Sequence, residues 1–515
     1  MGKRKKSEKQ SDSPSHTRNK LAGKKDINDC KYVLRSRSDL SLDNFKNLLM
    51  YNRNAQILLL MTIIGAFFRL YNLGFNSLWL DEGATVNFAS NSFIGIWETF
   101  VTGEYTPPLF YWLEHFMLFF GNNEFVLRLL PALFGILTIP VVYFIGREIS
   151  DETGGIIAAG LLTFSSFHII YSQEARAYTL MTFFYALTLI VYLWALKNNS
   201  RTWWILFGVF SALSFWSNVY SVVPIFLMYC FCLIKFNKNI LNKNILQNIL
   251  ISILSTVIVA LPVIIAMVSL SSQRIAGGKT FGLVGFEIVY NSFISFSNNS
   301  EILASVFVIL MICGLIGLFV KRKQDYFILF CLLIVGTFVF GMVYAQFLPW
   351  VTRYSIIMLP IIFPVIGCCA YWIPRSINRT TVSIVALIFI LLLSVPFLTQ
   401  YYSGYSKNDW RGLSDVISDT TNEGDFVVVV PSCMGLPLDY YYSNESDGTI
   451  EFFVHNSSLL SEMYKQKQNN SIYYIVSPWD AIANNPEGDG LQWIHDNTQL
   501  LGRHTNIEVY YNGPD

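Results

Sequence analysis

The sequence carries little charge for its length. Only 14% of its 515 residues are charged, whereas soluble globular domains usually contain about 25%. Hydrophobic residues make up 53% of the chain, and this balance excludes an ordinary soluble protein. The aromatic fraction of 16% suits helices that pack in lipid and are anchored by rings at its interfaces. The composition therefore predicts an integral membrane protein.

A disulfide framework and a cleavable signal peptide are also missing. Six of the eight cysteines lie inside apolar runs and only Cys433 falls in the polar C-terminal region, so no disulfide partners share one oxidising side. The first fifty residues are polar and rich in Lys and Arg, unlike a secretory signal. We expect residues 1–54 to form a disordered basic cytoplasmic tail that contacts membrane lipids, with no nucleic-acid partner.

Several apolar runs are long enough to cross a bilayer, which needs about 20 residues of helix. Eleven such runs lie near 55–72, 124–146, 154–171, 177–196, 202–217, 220–236, 246–270, 302–320, 326–346, 354–373 and 380–398. Lys and Arg cluster after every second run, and such clusters mark the cytoplasmic side. This parity requires the short apolar stretch 107–120 to be a juxtamembrane helix. The N-terminus is then cytoplasmic and the C-terminus extracytoplasmic.

The predicted topology divides the rest of the chain into two domains. Residues 55–398 form the transmembrane domain, and its first outer loop is 73–123. Residues 399–515 form an extracytoplasmic domain of ordinary size. It contains two predicted buried strands and two predicted short helices, at 426–430, 472–476, 413–417 and 491–497. We expect a polytopic α-helical membrane protein with a small C-terminal α/β domain.

Two adjacent carboxylates, Asp81 and Glu82, follow the outer end of the first apolar run. A carboxylate near lipid headgroups is partly desolvated and can accept a proton from a hydroxyl nucleophile. The same pair would equally serve as solvated loop charges or as caps for a following helix. The pattern alone leaves both interpretations open.

Three arginines lie at predicted outer ends of spans, against the usual charge bias: Arg128, Arg176 and Arg353. An arginine there can snorkel to the interface, and Arg176 can pair with Glu174. A phosphate held at the membrane is the simpler explanation for all three, because the planar guanidinium binds phosphate through several donors.

Several motifs occur in an order that resembles the membrane glycosyltransferases of family 39, the dolichyl-phosphate-mannose-protein mannosyltransferase type, and the related aminoarabinose transferases. The motifs are Leu78-Trp79-Leu80-Asp81-Glu82, Pro107-Pro108-Leu109-Phe110-Tyr111, Gly121 to Arg128-Leu129, Gly146-Arg147, Tyr171 to Tyr178, Arg353-Tyr354 with Pro360, and Asp409-Trp410-Arg411. The resemblance is strong over 60–200 and looser afterwards. It implies the GT-C fold, with an odd number of spans, an acidic pair in the outer first loop and an outer C-terminal domain. Thr106 departs from the pattern, since many relatives carry a histidine there.

The resemblance also implies a reaction, an inverting transfer from a polyprenyl-phosphate or dolichyl-phosphate sugar donor to a hydroxyl acceptor on protein, lipid or glycan. On this hypothesis Asp81 is the general base and Glu82 positions the acceptor or assists. Arg176 and Arg353 hold the lipid phosphate. The predicted donor-binding set is completed by Arg128 and Tyr178, with Glu174 and Tyr354 in support. No obligatory cofactor or metal is predicted, although GT-C enzymes admit a divalent cation.

A transporter or flippase of lipid-linked saccharides is the main alternative, because many spans and a polar cavity suit both functions. Transporters usually carry charged or broken helices near the membrane midplane and often contain internal repeats. The sequence indicates neither. A scaffold or sensor whose outer domain binds a partner is a third alternative, and it would leave the acidic pair dispensable.

Overall fold

The computed structural model describes residues 50–236, 242–276, 282–374, 376–404, 407–442, 450–453, 457–466, 470–485 and 487–513. The predicted tail 1–54 lies almost wholly outside these residues. From Gln56 onward the chain forms one compact unit. Within the described ranges, nine helices are long and apolar enough to cross a membrane, and a bent pair of helices makes a tenth candidate.

The first span is α1 (Arg53–Leu70), and three short helices follow it. These are α2 (Leu80–Ala89), α3 (Phe93–Thr102) and α4 (Leu109–Met117), and α4 ends in a 3₁₀ turn (Leu118–Phe120). With this turn, α4 measures about 18 Å at 1.5 Å per residue, which is too short for a hydrocarbon core of about 30 Å. Its end carries exposed aromatic rings, those of Phe116, Phe119 and Phe120.

The remaining membrane helices are α5 (Glu124–Ile149), α6 (Glu152–Thr163), α7 (Ser166–Ser172), α8 (Tyr178–Asn198), α9 (Arg201–Ser217), α10 (Val222–Phe236), α11 (Lys243–Ala276), α12 (Glu287–Phe296), α13 (Glu301–Val320), α14 (Gln324–Tyr344), α15 (Leu359–Gly367) and α16 (Arg379–Tyr402). The first of the eleven predicted apolar runs falls on α1, and each of the other ten falls on a helix or helix pair of this set. The run 202–217 corresponds to α9, which has only 17 residues. The fold class predicted from the sequence is confirmed.

The predicted span at 154–171 is broken, because α6 and α7 meet at an angle of 57°. Ser165 starts the second helix by accepting a hydrogen bond from the backbone N–H of His168. The end of α6 leaves carbonyl groups without helical partners. Arg69 of α1 donates to two of them, Leu162 O at 3.0 Å and Thr163 O at 3.4 Å. This buried contact fixes the bend between α6 and α7, while Gln173, in the turn that follows α7, donates to the Tyr71 carbonyl at 2.8 Å.

The C-terminal region is a mixed α/β domain. Its helices are α17 (Trp410–Thr420), α18 (Gly435–Tyr441), α19 (Ser457–Gln466), α20 (Pro478–Asn484) and α21 (Asp489–Asn497), and its strands are β1 (Phe426–Val430), β2 (Ile450–Phe453), β3 (Ile472–Val476), β4 (Gln499–His504) and β5 (Ile507–Asn512). The strand order is β2-β1-β3-β5-β4, with β1 parallel to β2 and β3, and β5 antiparallel to its neighbours. All residues of β1 and β3 are buried. Both strands and both helices predicted from the sequence are present.

This domain packs directly on α2. A Cβ added to Gly83 would lie 3.1 Å from the backbone of Leu436 and of Pro437, so the two backbones approach as closely as glycine permits. The Tyr441 hydroxyl donates to a carboxylate oxygen of Glu124 at 2.7 Å and accepts from a backbone N–H of the first loop. The Ser77 hydroxyl of that loop donates to Asp409 at 3.1 Å. The C-terminal domain therefore holds the segment that carries the acidic pair.

Candidate functional site

The acidic pair lies in the first turn of α2, directly after Trp79. Negative charge is favourable at a helix N-terminus, where backbone N–H groups have no helical partner. Glu82 also accepts a hydrogen bond from the Trp79 N–H at 3.3 Å, as the third residue of a capping box does. The helix start thus sends the two carboxylates in different directions.

Glu82 is fully buried and surrounded by donors. Its oxygens accept from Arg128 Nε and Nη2, both at 2.8 Å, and from the Ala175 N–H at 2.9 Å. The Lys407 ammonium lies 3.1 Å from Oε2, which also accepts from Trp79. Burial alone would raise the pKa of Glu82, but Arg128, Lys407 and Ala175 outweigh it and lower the pKa to about 2. Both oxygens of Glu82 are thus occupied by donors, and its ionised carboxylate fixes the start of α2.

Arg128 is equally saturated. Besides its two bonds to Glu82, its guanidinium donates to the carbonyls of Leu73 at 3.0 Å, Asn76 at 2.7 Å and Ser77 at 2.9 Å. Its side chain is 2% exposed. A guanidinium has five N–H donors, and these contacts use them, so no donor is left for a lipid phosphate. Arg128 lies in the site as predicted, but it positions the first loop.

Asp81 differs from its neighbour in sequence. Its side chain is 22% exposed, and Oδ2 lies 3.3 Å from Arg353 Nη2 and 3.9 Å from Arg176 Nε. Within the described part of the chain, this oxygen has no hydrogen-bond partner. Asp81 is therefore a carboxylate facing two cations that still has a free acceptor position.

Arg176 is held from several sides. Its Nη1 donates to the Asp81 carbonyl at 3.3 Å, to the Thr85 hydroxyl at 3.4 Å and to the Tyr111 hydroxyl at 3.2 Å. Tyr111 in turn donates to Glu104 at 3.0 Å. These contacts come from α2 and α4 and from the segment before α4, so the guanidinium is oriented beside Asp81 before any ligand binds.

Arg353 precedes α15 and approaches Asp81 over aromatic rings. Its guanidinium lies 5.4 Å from the ring centroid of Trp79 and 5.9 Å from that of Tyr178, within the range of cation–π attraction. Tyr354 instead stacks on Tyr220 at 4.0 Å. Of the predicted aromatic residues, Tyr178 therefore lies against Arg353, and Tyr354 packs on Tyr220.

One cation of the site was missed by sequence reasoning. Lys407, in the segment between α16 and α17, lies 3.5 Å from Glu174 Oε1 and 5.6 Å from the Trp79 ring centroid, in addition to its contact with Glu82. A lysine outside the membrane next to the motif 409–411 runs against the charge bias, and this was the available signal. Glu174 itself, predicted as a supporting residue, is 6% exposed.

No group of three or more His, Cys, Asp and Glu side chains within the described ranges could hold a metal ion. Asp81 faces two arginines and Glu174 faces Lys407, and such neighbours disfavour a divalent cation. The residues present therefore do not fit a metal centre, and metal independence stays a prediction.

Comparison with known proteins identifies the class of this fold. The family model for dolichyl-phosphate-mannose-protein mannosyltransferase matches residues 105–266, which include Glu174 and Arg176. An uncharacterized protein of Aquifex aeolicus is 29% identical over 147 residues, or 27% of this chain. That match covers 28% of the relative, so this chain spans under a third of that relative's length.

Solved structures resemble the whole chain. ArnT from Cupriavidus metallidurans in the apo state has a TM-score of 0.56 at 11% identity, over 89% of this chain and 99% of ArnT. The same protein bound to undecaprenyl phosphate has a TM-score of 0.54 at 12% identity, over 89% and 99%. The Archaeoglobus fulgidus oligosaccharyltransferase tethered with an acceptor peptide has a TM-score of 0.53 at 12% identity, over 88% of this chain and 73% of that one.

These likenesses and the helices described above define a multi-pass membrane protein with the GT-C fold. Residues 105–266 are similar to the dolichyl-phosphate-mannose-protein mannosyltransferase family, and the fold of the chain is similar to that of ArnT. The resemblance predicted from the ordered motifs is thereby confirmed.

Proposed function

We propose that this protein transfers a glycosyl group from a polyprenyl-phosphate sugar to a hydroxyl acceptor at the outer membrane face. The observation that carries the proposal is the position of Asp81, which faces Arg176 and Arg353 with one oxygen that accepts no hydrogen bond from the described residues. A base beside two phosphate-binding groups is what such a transfer requires. The likeness to ArnT, which was solved with undecaprenyl phosphate bound, supports the same donor chemistry.

Asp81 is the general base of the proposed reaction, because its neighbour has no free capacity. Glu82 is fully buried and each of its oxygens already accepts from several donors. A base needs a lone pair directed at the proton it removes, and Asp81 Oδ2, an enclosed atom, accepts no hydrogen bond from the described residues. Glu82 instead positions α2 through its bonds to Arg128.

Arg176 and Arg353 stabilise the leaving phosphate. The acceptor oxygen forms a bond to the anomeric carbon as the bond from that carbon to the phosphate oxygen breaks, with inversion. The electron pair goes to the phosphate, and the hydroxyl proton goes to Asp81. A phosphodiester with one negative charge thus becomes a monoester with up to two, so paired arginines bind the products' phosphate more strongly than the donor's. Two arginines and one aspartate leave a net positive site for it.

The charges at the other ends of the same helices support the proposed orientation of the site. α5 has Arg128 at the site end and Glu148 at the far end, where Glu148 pairs with Lys197 of α8. Lys323 donates to the Ile149 carbonyl at that far end. Lysines in short connections favour the cytoplasmic side, and this supports an extracytoplasmic site with a cytoplasmic N-terminus.

The fate of the lipid tests the proposed function. Purified full-length protein is reconstituted in vesicles with undecaprenyl phosphate carrying radiolabelled mannose, glucose or aminoarabinose, together with a membrane extract as the source of acceptors. A transferase moves label from at least one lipid to the acceptor fraction and releases sugar-free undecaprenyl phosphate. Label that crosses the bilayer on intact lipid would instead identify a flippase. A chelator in a parallel reaction should leave the rate unchanged.

A further inference from the structure

Glu174 and Lys407 form a second pair of charged groups beside Asp81. Glu174 lies in the turn between α7 and α8, and Lys407 lies between the last span and the outer domain. The ammonium is 3.5 Å from Glu174 Oε1 and 3.1 Å from Glu82 Oε2. Glu174 is 6% exposed, so its carboxyl group is held inside the protein near the proposed base.

Three polar atoms around this pair are enclosed without a hydrogen-bond partner in the described part of the chain. They are Glu174 Oε2, Trp79 Nε1 and Arg353 Nε. The atoms belong to one neighbourhood, because both Lys407 and Arg353 lie within 5.6 Å of the Trp79 ring centroid. Buried polar groups in native proteins nearly always find partners. A buried acceptor and two buried donors left open in the same neighbourhood indicate a ligand that both donates and accepts hydrogen bonds.

Resting on the proposed function, we propose that Glu174 and Trp79 form a subsite that binds saccharide hydroxyl groups, with Lys407 as the residue that positions Glu174. A hydroxyl both donates and accepts, so a sugar can donate to Glu174 Oε2 and accept from Trp79 Nε1. A phosphate offers only acceptors at neutral pH and is repelled by Glu174. The two cations that flank the indole ring fix its orientation. The hydroxyl groups belong either to the donor sugar or to a glycan acceptor.

Lys407 also keeps Glu174 in the form that the subsite needs. Burial raises the pKa of Glu174, and Lys407 opposes this effect most strongly. The other groups that face Glu174 are Glu82, Arg353 and Asp81, with the phenols of Tyr171 and Tyr401. Loss of the ammonium would leave the carboxyl among two other carboxylates and favour its protonated form.

Binding of lipids with and without a sugar tests the subsite on the purified full-length protein. The probes are undecaprenyl phosphate and its mannose, glucose and aminoarabinose conjugates, and affinity is measured by calorimetry. The wild type should bind at least one conjugate more tightly than undecaprenyl phosphate. Glu174→Ala should weaken the binding of that conjugate by about 10-fold or more, the size of a lost hydrogen bond to a charged group, without changing the binding of undecaprenyl phosphate. Arg353→Ala should weaken the binding of both lipids.

Lys407 requires its own variants, because loss of a buried ion pair can act through folding alone. Lys407→Met should reproduce the selective loss of affinity for the conjugate, and Lys407→Arg should retain that affinity. The Glu174→Ala/Lys407→Met double variant should bind the conjugate no more weakly than Glu174→Ala does. Such non-additivity marks residues that act as one unit. The matched control is Lys197→Met, which breaks an ion pair at the opposite helix ends and should change neither affinity.

The alternative source of the hydroxyls gives a different result. If Glu174→Ala leaves every donor affinity unchanged but raises the acceptor KM about 10-fold at constant kcat, the subsite is filled by a glycan acceptor. The proposal would be overturned if Glu174→Ala weakened the binding of undecaprenyl phosphate and of its conjugates equally. It would also be overturned if the variant changed neither the donor affinities nor the acceptor KM. Selective conjugate binding that depends on Glu174, without any transfer, would support the subsite and contradict the proposed function.

Discussion

Arg128 and Glu82 form a two-point ion pair in which both N···O distances are 2.8 Å and neither side chain is more than 2% exposed. The pair links α5 to the start of α2 across 46 residues of sequence. Because the remaining guanidinium donors bind carbonyl groups of the first loop, this single contact sets where the adjacent Asp81 lies.

Replacing Arg128 with methionine should therefore destabilise the protein. The change leaves Glu82 buried with Lys407 as its remaining cation and removes partners from three loop carbonyls. Breaking one side of a buried ion pair costs roughly 3–5 kcal/mol. Unfolding in detergent, followed by tryptophan fluorescence, measures the effect, and Arg201→Met at the exposed start of α9 is the control. Equal stability of the two variants would mean that the pair does not anchor the loop.

The contact of Gly83 with the C-terminal domain predicts a second effect, on the docking of that domain. A valine at position 83 brings side-chain atoms against the backbone of Leu436 and Pro437, where even a Cβ would lie at 3.1 Å. We expect Gly83→Val to push the C-terminal domain away from α2, with faster proteolysis of the domain and at least a 10-fold loss of transfer. Overpacking of this kind typically costs about 1–3 kcal/mol. Gly404→Val, where an added Cβ meets no described residue within 4 Å, should leave both readouts near wild type.

Glu114 on α4 predicts an unusual pH dependence of stability. It is fully buried and neither carboxyl oxygen has a hydrogen-bond partner among the described residues. Burial, with Glu82 nearby, raises its pKa well above the ordinary value. The folded protein therefore prefers the protonated acid, and this contribution is complete below the unfolded pKa of about 4.3 and is lost as the pH rises toward the folded pKa.

Glu114→Gln should remove this loss of stability at higher pH, because the amide has the shape of the carboxyl group and does not ionise. We expect the variant to be more stable than wild type by about 1–3 kcal/mol at pH 8 and nearly equal to it at pH 4. Melting temperatures across this range measure the difference, with Glu98→Gln on the exposed face of α3 as the control. A wild type and a Glu114→Gln variant whose melting temperatures run parallel with pH would show that Glu114 is ionised in the folded protein.

The features predicted correctly from the sequence are those that a local pattern of residues determines. Spans follow from runs of apolar residues, and the strands 426–430 and 472–476 are buried on both faces, so their apolar runs were continuous. The edge strand β4 is largely exposed and has no such run. The bend at Ser165 was also missed, because the serine that caps α7 lies within an apolar stretch that contains no proline.

Contacts between distant segments account for what the sequence did not predict at the site. Asp81 and Glu82 are adjacent and chemically alike, and their difference arises from Arg128, Lys407 and Ala175, which reach one carboxylate and not the other. The same contacts explain why Arg128, which has the charge and position expected of a phosphate ligand, has no free donor. Lys407 enters the site from more than 300 residues away.

The division of labour between the two carboxylates is the central claim, and the single-turnover rate of Asp81→Asn tests it most directly. With the donor lipid saturating, the account predicts a rate about 10²- to 10⁴-fold below wild type, while the affinity for undecaprenyl phosphate stays within a few-fold because Arg176 and Arg353 remain. A transfer rate near that of the wild type would contradict the assignment of Asp81 as the general base.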